Sequence, residues 1–362
     1  MKSAVELRAG APADSTTLAG NRARALCILG MHRSGTSSIT RAMNLLGVYL
    51  GEDAKMMPPS ADNPGGYWEH LEINDLHKRV MTRLERDWNT AEPLPENWLR
   101  SEAIRPFKEE LAKLVAANFG GHALWGWKEP QTCLLLPLWR EILEKAETKL
   151  SCLLVVRNPV DVASSLARRD AIPFDEALGI WFHYNVAALE DAGGLPIVFL
   201  NYDRLLASWE PEMRRCAAAL GLDWPKDEPQ YREAMNAFIQ PGLRHNQSSF
   251  DRLQQLPHPV QELYHVLLEA SGQPAVYDNR FEATIRRLSK DFRAYASLLA
   301  NDANTLRRGL VMTWRTGRDL KFQRLRFEPR RPPPRLVHRL LGDKTCRSLC
   351  KRLAEACCWL LP

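Results

Sequence analysis

Two short stretches of this chain carry side chains of the type and spacing needed to hold phosphate-like anions. The first runs Gly30-Met31-His32-Arg33-Ser34-Gly35-Thr36-Ser37-Ser38, a guanidinium and several hydroxyls between and beyond two glycines. It follows the apolar run Ala25–Leu29 and precedes Ile39, Met43 and Leu46 at helical spacing, with Gly47 as the stop. Strand, tight loop and helix in that order put the backbone N–H groups of Ser34 to Ser38 at a helix N-terminus, where free donors and the helix dipole favour an anion. The spacing from Gly30 to Gly35 is that of a P-loop, but Thr36 stands where the P-loop lysine belongs. Arg33, ahead of the second glycine, is the cation of the loop. The second stretch is Arg157-Asn-Pro-Val-Asp-Val-Ala-Ser-Ser165. An arginine at a strand end and a serine about two turns along the next helix can clasp one phosphate from two sides. The two stretches predict two separate anion sites on one sheet.

The elements that must position these residues are legible in the hydrophobic pattern. Ala25–Leu29, the ALWGWKEP segment ending at Lys128–Glu129–Pro130, KLSCLLVVRNP and LPIVFLNY read as four short buried strands. Helical patterns separate them: from about Leu71, over 93–118, from Leu134 to Leu143, from Pro159 to Arg169 and from Phe174 to Asp191, with more beyond LPIVFLNY to about residue 300. Strands alternating with helices imply an α/β fold, a P-loop-like parallel sheet flanked by helices on both faces. Ligands of such sheets bind beyond the strand C-terminal ends, so Gly30, Lys128, Arg157 and Tyr202 should converge. The Pro-, Gly- and Asn-rich segment 50–70 reads as a long loop, of the kind that is usually functional near a phosphate site.

At 362 residues with 45% apolar content, the chain can bury a full α/β core and carry an appendage. Its formal net charge is +6, but residues 307–352 hold fifteen Lys/Arg against three Asp/Glu, which leaves the remainder mildly acidic. Three parts follow: a disordered leader over 1–24, a main domain over 25–300, and a basic, Pro-interrupted C-terminal extension over 301–362. The extension ends in an apolar stripe of Cys346, Leu349, Cys350, Leu353, Cys357 and Leu360, which fits an amphipathic helix lying on a membrane or on its own protein. The cysteines make no disulfide framework and no metal spacing. With no signal-peptide h-region and no apolar span of about 18 residues, the expectation is a cytoplasmic protein, with peripheral membrane contact through the extension.

GMHRSGTS followed by R-N-P-x-D-x-x-x-S resembles the sulfotransferases that use 3′-phosphoadenosine 5′-phosphosulfate (PAPS). WKEPQTCLLLPLW, the Trp68–Glu69 pair and VFLNYDRLL are also similar to bacterial members of that superfamily, so the resemblance covers about residues 25–250. It implies that Arg33, Ser34, Gly35, Thr36 and Ser37 bind the 5′-phosphosulfate and that Arg157 and Ser165 bind the 3′-phosphate. Arg33 takes the place of the loop lysine of cytosolic members, which neutralises charge on the leaving phosphate. Glu69, on the loop that should close over the nucleotide, is the implied general base, with His70 as the alternative. Lys128 would lie between that carboxylate and the sulfonate, as a lysine does in carbohydrate sulfotransferases. Arg244–His245 would close over the nucleotide from the C-terminal side. The implied reaction moves a sulfonate from PAPS to a hydroxyl or amine, most fittingly on a carbohydrate, without a metal and without a nucleic-acid partner. A P-loop nucleotide kinase or NTPase, and a non-catalytic anion- or membrane-binding module on the same fold, stand as alternatives.

Overall fold

The computed structural model describes residues 22–60, 63–239, 250–272, 278–294 and 296. The leader through residue 21, Arg244–His245 and the whole basic extension 301–362 lie outside the described residues.

Among the described residues, four strands form one parallel sheet in the order β2-β1-β3-β4: β1 Arg24–Leu29, β2 Leu124–Lys128, β3 Lys149–Val156 and β4 Ile197–Asn201. Each lies where the apolar runs predict it, and β1 starts one residue early, at Arg24. All four are apolar on both faces, because helices cover both. In β1, Ala25, Cys27 and Leu29 enter the larger core while Leu26 and Ile28 enter the smaller one on the opposite face. β3 divides likewise, Cys152, Leu154 and Val156 against Leu153 and Val155. The smaller core packs on α1 (Thr36–Leu45), α8 (Trp209–Leu220) and α9 (Glu228–Phe238). The larger one packs on α2 (Leu71–Arg83), α3 (Arg105–Phe119), α4 (Thr132–Lys145), α5 (Pro159–Asp170), α6 (Phe174–Asp191) and α11 (His258–Gly272). α7 (Tyr202–Ala207) and α10 (Phe250–Gln254) are short.

One expected helix begins about twelve residues late. Over 93–118, only α3 from Arg105 and a short 3-10 turn at Trp98–Arg100 are helical. Pro93 and Pro95 lack the N–H that a helix interior requires, so the apolar residues ahead of Arg105 pack without a continuous helix.

The chain leaves β1 toward β2 on one side, and leaves β3 toward β4 on the other. The strand order therefore reverses between β1 and β3, and ligand-binding crevices of open α/β sheets form outside the carboxyl ends at such a point. The loop after β1 carries Arg33, and β3 is followed directly by Arg157.

Candidate active site

The loop after β1 is shaped by its glycines. At Gly30 (φ +151°) a Cβ would come within 2.7 Å of Thr36 Cγ2, and at Gly35 (φ +89°) it would overlap the Tyr202 ring. Gly35 precedes α1 without a side-chain cap. The N–H groups of Gly35, Thr36 and Ser37 consequently find no acceptor among the described residues, and all three residues line a cleft of about 620 Å³. Ser34 differs from the expectation: its N–H is spent on Met31 O at 3.1 Å and its side chain is buried under the loop, off the cleft wall.

The second motif is placed by its own cap. Asn158 Oδ1 accepts from Val160 N at 2.9 Å and Pro159 supplies a preset first-turn φ, so α5 starts at once beyond β3. Arg157 is thereby held over the sheet end, its guanidinium 4.7 Å from the Tyr202 ring centroid. Tyr202 is held in turn by the Asn201 cap, which accepts from Arg204 N at 3.0 Å.

The two motifs form one site rather than two. Arg33 Nε donates to Ser165 Oγ at 2.9 Å, and Arg157 Nη1 donates to Arg33 O at 2.7 Å. The reason is the sheet register: β1 and β3 are direct neighbours, so the loops leaving them touch. Arg33 sits in the left-handed region (φ +68°), which costs a non-glycine residue on the order of 1 kcal/mol. The two bonds, one to its carbonyl and one from its side chain, hold it there. Arg157 Nε is buried without a hydrogen-bond partner among the described residues.

Beside the loop, Lys128 and Glu69 form an almost fully buried ion pair (2% and 6% exposed). Lys128 Nζ also reaches Ser37 Oγ at 3.4 Å, and Asn74 Nδ2 donates to the other Glu69 oxygen at 3.3 Å. Burial raises the Glu69 carboxyl above the ordinary carboxylate range, against the pull of Lys128, and the nearby Glu129 adds to the rise. Glu129 itself faces away from Lys128. It pairs with His77 Nδ1, whose Nε2 accepts from Trp139 Nε1 at 2.8 Å in a wholly buried chain. His70, the alternative base, does not line the cleft; its ring packs against Gly51 and Phe119 instead.

Arg33, Gly35, Thr36, Ser37, Glu69, Lys128, Arg157 and Tyr202 thus line one cleft, and Ser165 joins it through Arg33. Gly30 lies beneath it. Sequence reasoning missed Asn63, Asn74, Lys78, Trp88 and Gln131 on the same walls. Asn74 and Lys78 had a signal: they stand one turn apart on α2, the helix that follows Glu69. Asn63 had none, being placed by loop contacts: it donates to Gly66 O at 2.8 Å and reaches Ser37 Oγ at 3.3 Å.

No protein-family model matches this sequence, and no curated protein matches it either. Solved structures with a similar chain course include the sulfotransferase domain of the Synechococcus PCC 7002 olefin synthase, at 18% identity over 75% of this chain and 95% of that one, with a TM-score of 0.36. The sulfotransferase domain of the curacin biosynthetic pathway is similar at 16% identity, over 74% of this chain and 98% of that one, with a TM-score of 0.33. A Mycobacterium tuberculosis H37Rv sulfotransferase is similar at 12% identity, over 67% and 76%, with a TM-score of 0.35. All three are sulfotransferases. Scores this low carry no functional weight, and the chemistry rests on the residues of the cleft.

Proposed function

We propose that this protein is a sulfotransferase that takes PAPS as donor and moves its sulfonate to an acceptor, most fittingly a carbohydrate. The observation that carries the reading is the Arg157–Arg33–Ser165 chain across the β1/β3 crevice, which links the two motifs side by side. The residues fit a nucleotide with phosphates at both ends. Arg157, with its unpartnered Nε, and Ser165 would take the 3′-phosphate, while the N–H groups of Gly35, Thr36 and Ser37 would take the 5′-phosphate. The donor supplies an activated sulfonate on a phosphate leaving group. Arg33 holds charge on that phosphate as a planar fork, where a lysine would act as a point charge. Lys128 ties the Glu69 carboxylate to the loop hydroxyl of Ser37, and Asn74 fixes the second carboxylate oxygen. Glu69 is then positioned to take the acceptor proton, and its raised pKa makes the carboxylate a stronger base than an ordinary one.

A magnesium-dependent nucleotide kinase fits less well. The strands flanking β1 end in Lys128 and lead into Arg157, cations where such enzymes present a carboxylate.

The arginines should fail differently. Arg157→Ala should weaken PAPS binding roughly ten- to a hundredfold, as for a lost charge-assisted contact of about 1.5–3 kcal/mol. Arg33→Ala should instead lower kcat by on the order of 10²–10³, as for loss of a donor to developing charge. The assay is transfer of labelled sulfonate from PAPS, and a wild-type protein that neither binds nor turns over PAPS refutes the reading.

A further inference from the structure

We propose that Gln131 and His32 form the acceptor-recognition pair of the cleft, and that the acceptor they select is an uncharged hydroxyl compound rather than a cationic amine. This rests on the sulfotransferase reading and deepens it. Gln131 stands directly beyond Lys128–Glu129–Pro130 at the start of α4 and is 3% exposed, yet it lines the cleft. Its Oε1 is shielded and has no hydrogen-bond partner among the described residues, and the same holds for His32 Nε2. Buried polar atoms of folded proteins are normally paired, so two orphans on the wall of one cleft mark places where a ligand completes the pairing. Neither is used by the phosphate-binding chain of Arg33, Arg157 and Ser165.

The surroundings define what kind of ligand. His32 is fixed by rings, 4.8 Å from Trp88 and 6.0 Å from Tyr184, and Trp88 also lines the cleft. An aromatic wall with fixed polar groups beside it suits a compound with both apolar faces and hydroxyls. Arg33, Lys78, Lys128 and Arg169 surround the same wall. Burial, with their field added, lowers His32 to about 3, so its imidazole is neutral at working pH. A cationic ammonium entering there would meet the same two costs as a proton on His32, loss of hydration first and then the cations that outnumber Glu69 and Asp170 on the wall. A hydroxyl meets no such barrier, and one that does not itself react can donate to Gln131 Oε1 while accepting from His32 Nε2–H. In the transfer step a second hydroxyl oxygen of the acceptor forms a bond to sulfur as the bond from sulfur to the phosphate oxygen breaks. The electron pair leaves with 3′-phosphoadenosine 5′-phosphate, and the hydroxyl proton passes to the Glu69 carboxylate.

The test supplies ³⁵S-labelled PAPS together with methyl glucopyranoside, 2,7-dihydroxynaphthalene, glucosamine or hexylamine, and classifies any product as sulfate ester or sulfamate by its lability to nitrous acid. Sulfate esters of the uncharged hydroxyl probes are expected. Gln131→Leu should raise the KM of the accepted probe about tenfold, as for one hydrogen bond, and leave the KM for PAPS unchanged. It should not lower Tm, because it removes an unpaired carbonyl; a merely structural glutamine would give a lower Tm and an unchanged acceptor KM. If Gln131→Leu does not fold, Gln131→Met, which removes the acceptor oxygen at similar volume, and His32→Asn carry the same KM comparison. A sulfamate product overturns the proposal. So does absence of label in every probe from a protein that binds 3′-phosphoadenosine 5′-phosphate, or a Gln131 effect confined to PAPS. Failure to bind that nucleotide at all would instead bring down the sulfotransferase reading itself.

Discussion

Replacing Lys128 with methionine removes the cation of a buried pair while nearly keeping its volume. Glu69 would then be left 6% exposed, with Asn74 at 3.3 Å as its remaining hydrogen-bond donor. Breaking a buried pair from one side costs about 3–5 kcal/mol, because the surviving charge has no compensation. At roughly 2–4 °C per kcal/mol for a domain of this size, Lys128→Met should lower Tm by about 6–20 °C. The cost should depend on pH. Burial already raises the Glu69 pKa and Lys128 opposes that rise, so the variant pushes it further up. A carboxyl whose folded pKa exceeds its unfolded one destabilises the fold where it is ionised, and this penalty fades as pH falls through the raised folded pKa toward the unfolded one. The deficit of Lys128→Met should therefore shrink on acidification. Lys128→Met combined with Glu69→Leu should recover most of the loss, since an apolar pair of similar volume is often as stable as a buried ion pair. Calorimetry from pH 8 to pH 5 reads all three. A single-variant loss under 1 kcal/mol, or a double variant no better than the single one, would refute the buried pair as drawn.

Glu69→Gln should leave nucleotide affinity intact while lowering kcat by about 10²–10⁴, and the acid limb of the pH–rate profile, displaced upward by the raised Glu69 pKa, should disappear; loss of PAPS binding would make Glu69 a structural member of its loop. Gly35→Ala should disrupt the loop, because φ +89° and the Tyr202 ring both exclude a Cβ. Its nucleotide affinity should fall well beyond that of Gly47→Ala, where no atom lies within 4 Å of the added methyl, and equal losses in equilibrium titrations would contradict the geometry. His32 and His183 are held at about 3 and about 4, chiefly by burial, against 6.5 for a free imidazole. The unfolded chain takes their protons first, so the stability they contribute is complete above about pH 6.5 and is lost as pH falls toward 4. Asp191, raised to about 7, works in the opposite sense, so the readout is a difference: denaturant titrations of His32→Asn should show a shallower loss than wild type over that window.

The four strands were legible because each is a short apolar run closed by a glycine or by a polar or Pro-containing stop, and the parallel sheet followed from their alternation with helices. The phosphate loop and the Arg157–Ser165 pair were legible because each is local, a strand end followed at once by a helix start. That they would join through Arg33 was not, since that contact depends on β1 and β3 being neighbours, a fact of strand order and not of spacing. The polar walls were hidden for a related reason. Asn63, Trp88 and Gln131 reach the cleft from loops or at a helix start, where no period of 2 or 3.6 marks which side chain faces inward. His70 shows the converse: adjacent to Glu69 in sequence, it faces Phe119 across the loop, since neighbouring residues of extended chain point to opposite sides.

The central claim is that Arg157, Arg33 and Ser165 make a site for a nucleotide carrying a 3′-phosphate as well as a 5′-phosphate. Isothermal titration of the wild-type protein and Arg157→Ala with 3′-phosphoadenosine 5′-phosphate and with ADP tests it directly. Wild type should bind the 3′,5′-bisphosphate at least about tenfold more tightly than ADP, and Arg157→Ala should lose roughly ten- to a hundredfold for the former while changing little for the latter. Equal affinities in the wild type, or equal losses for both nucleotides in the variant, would contradict it.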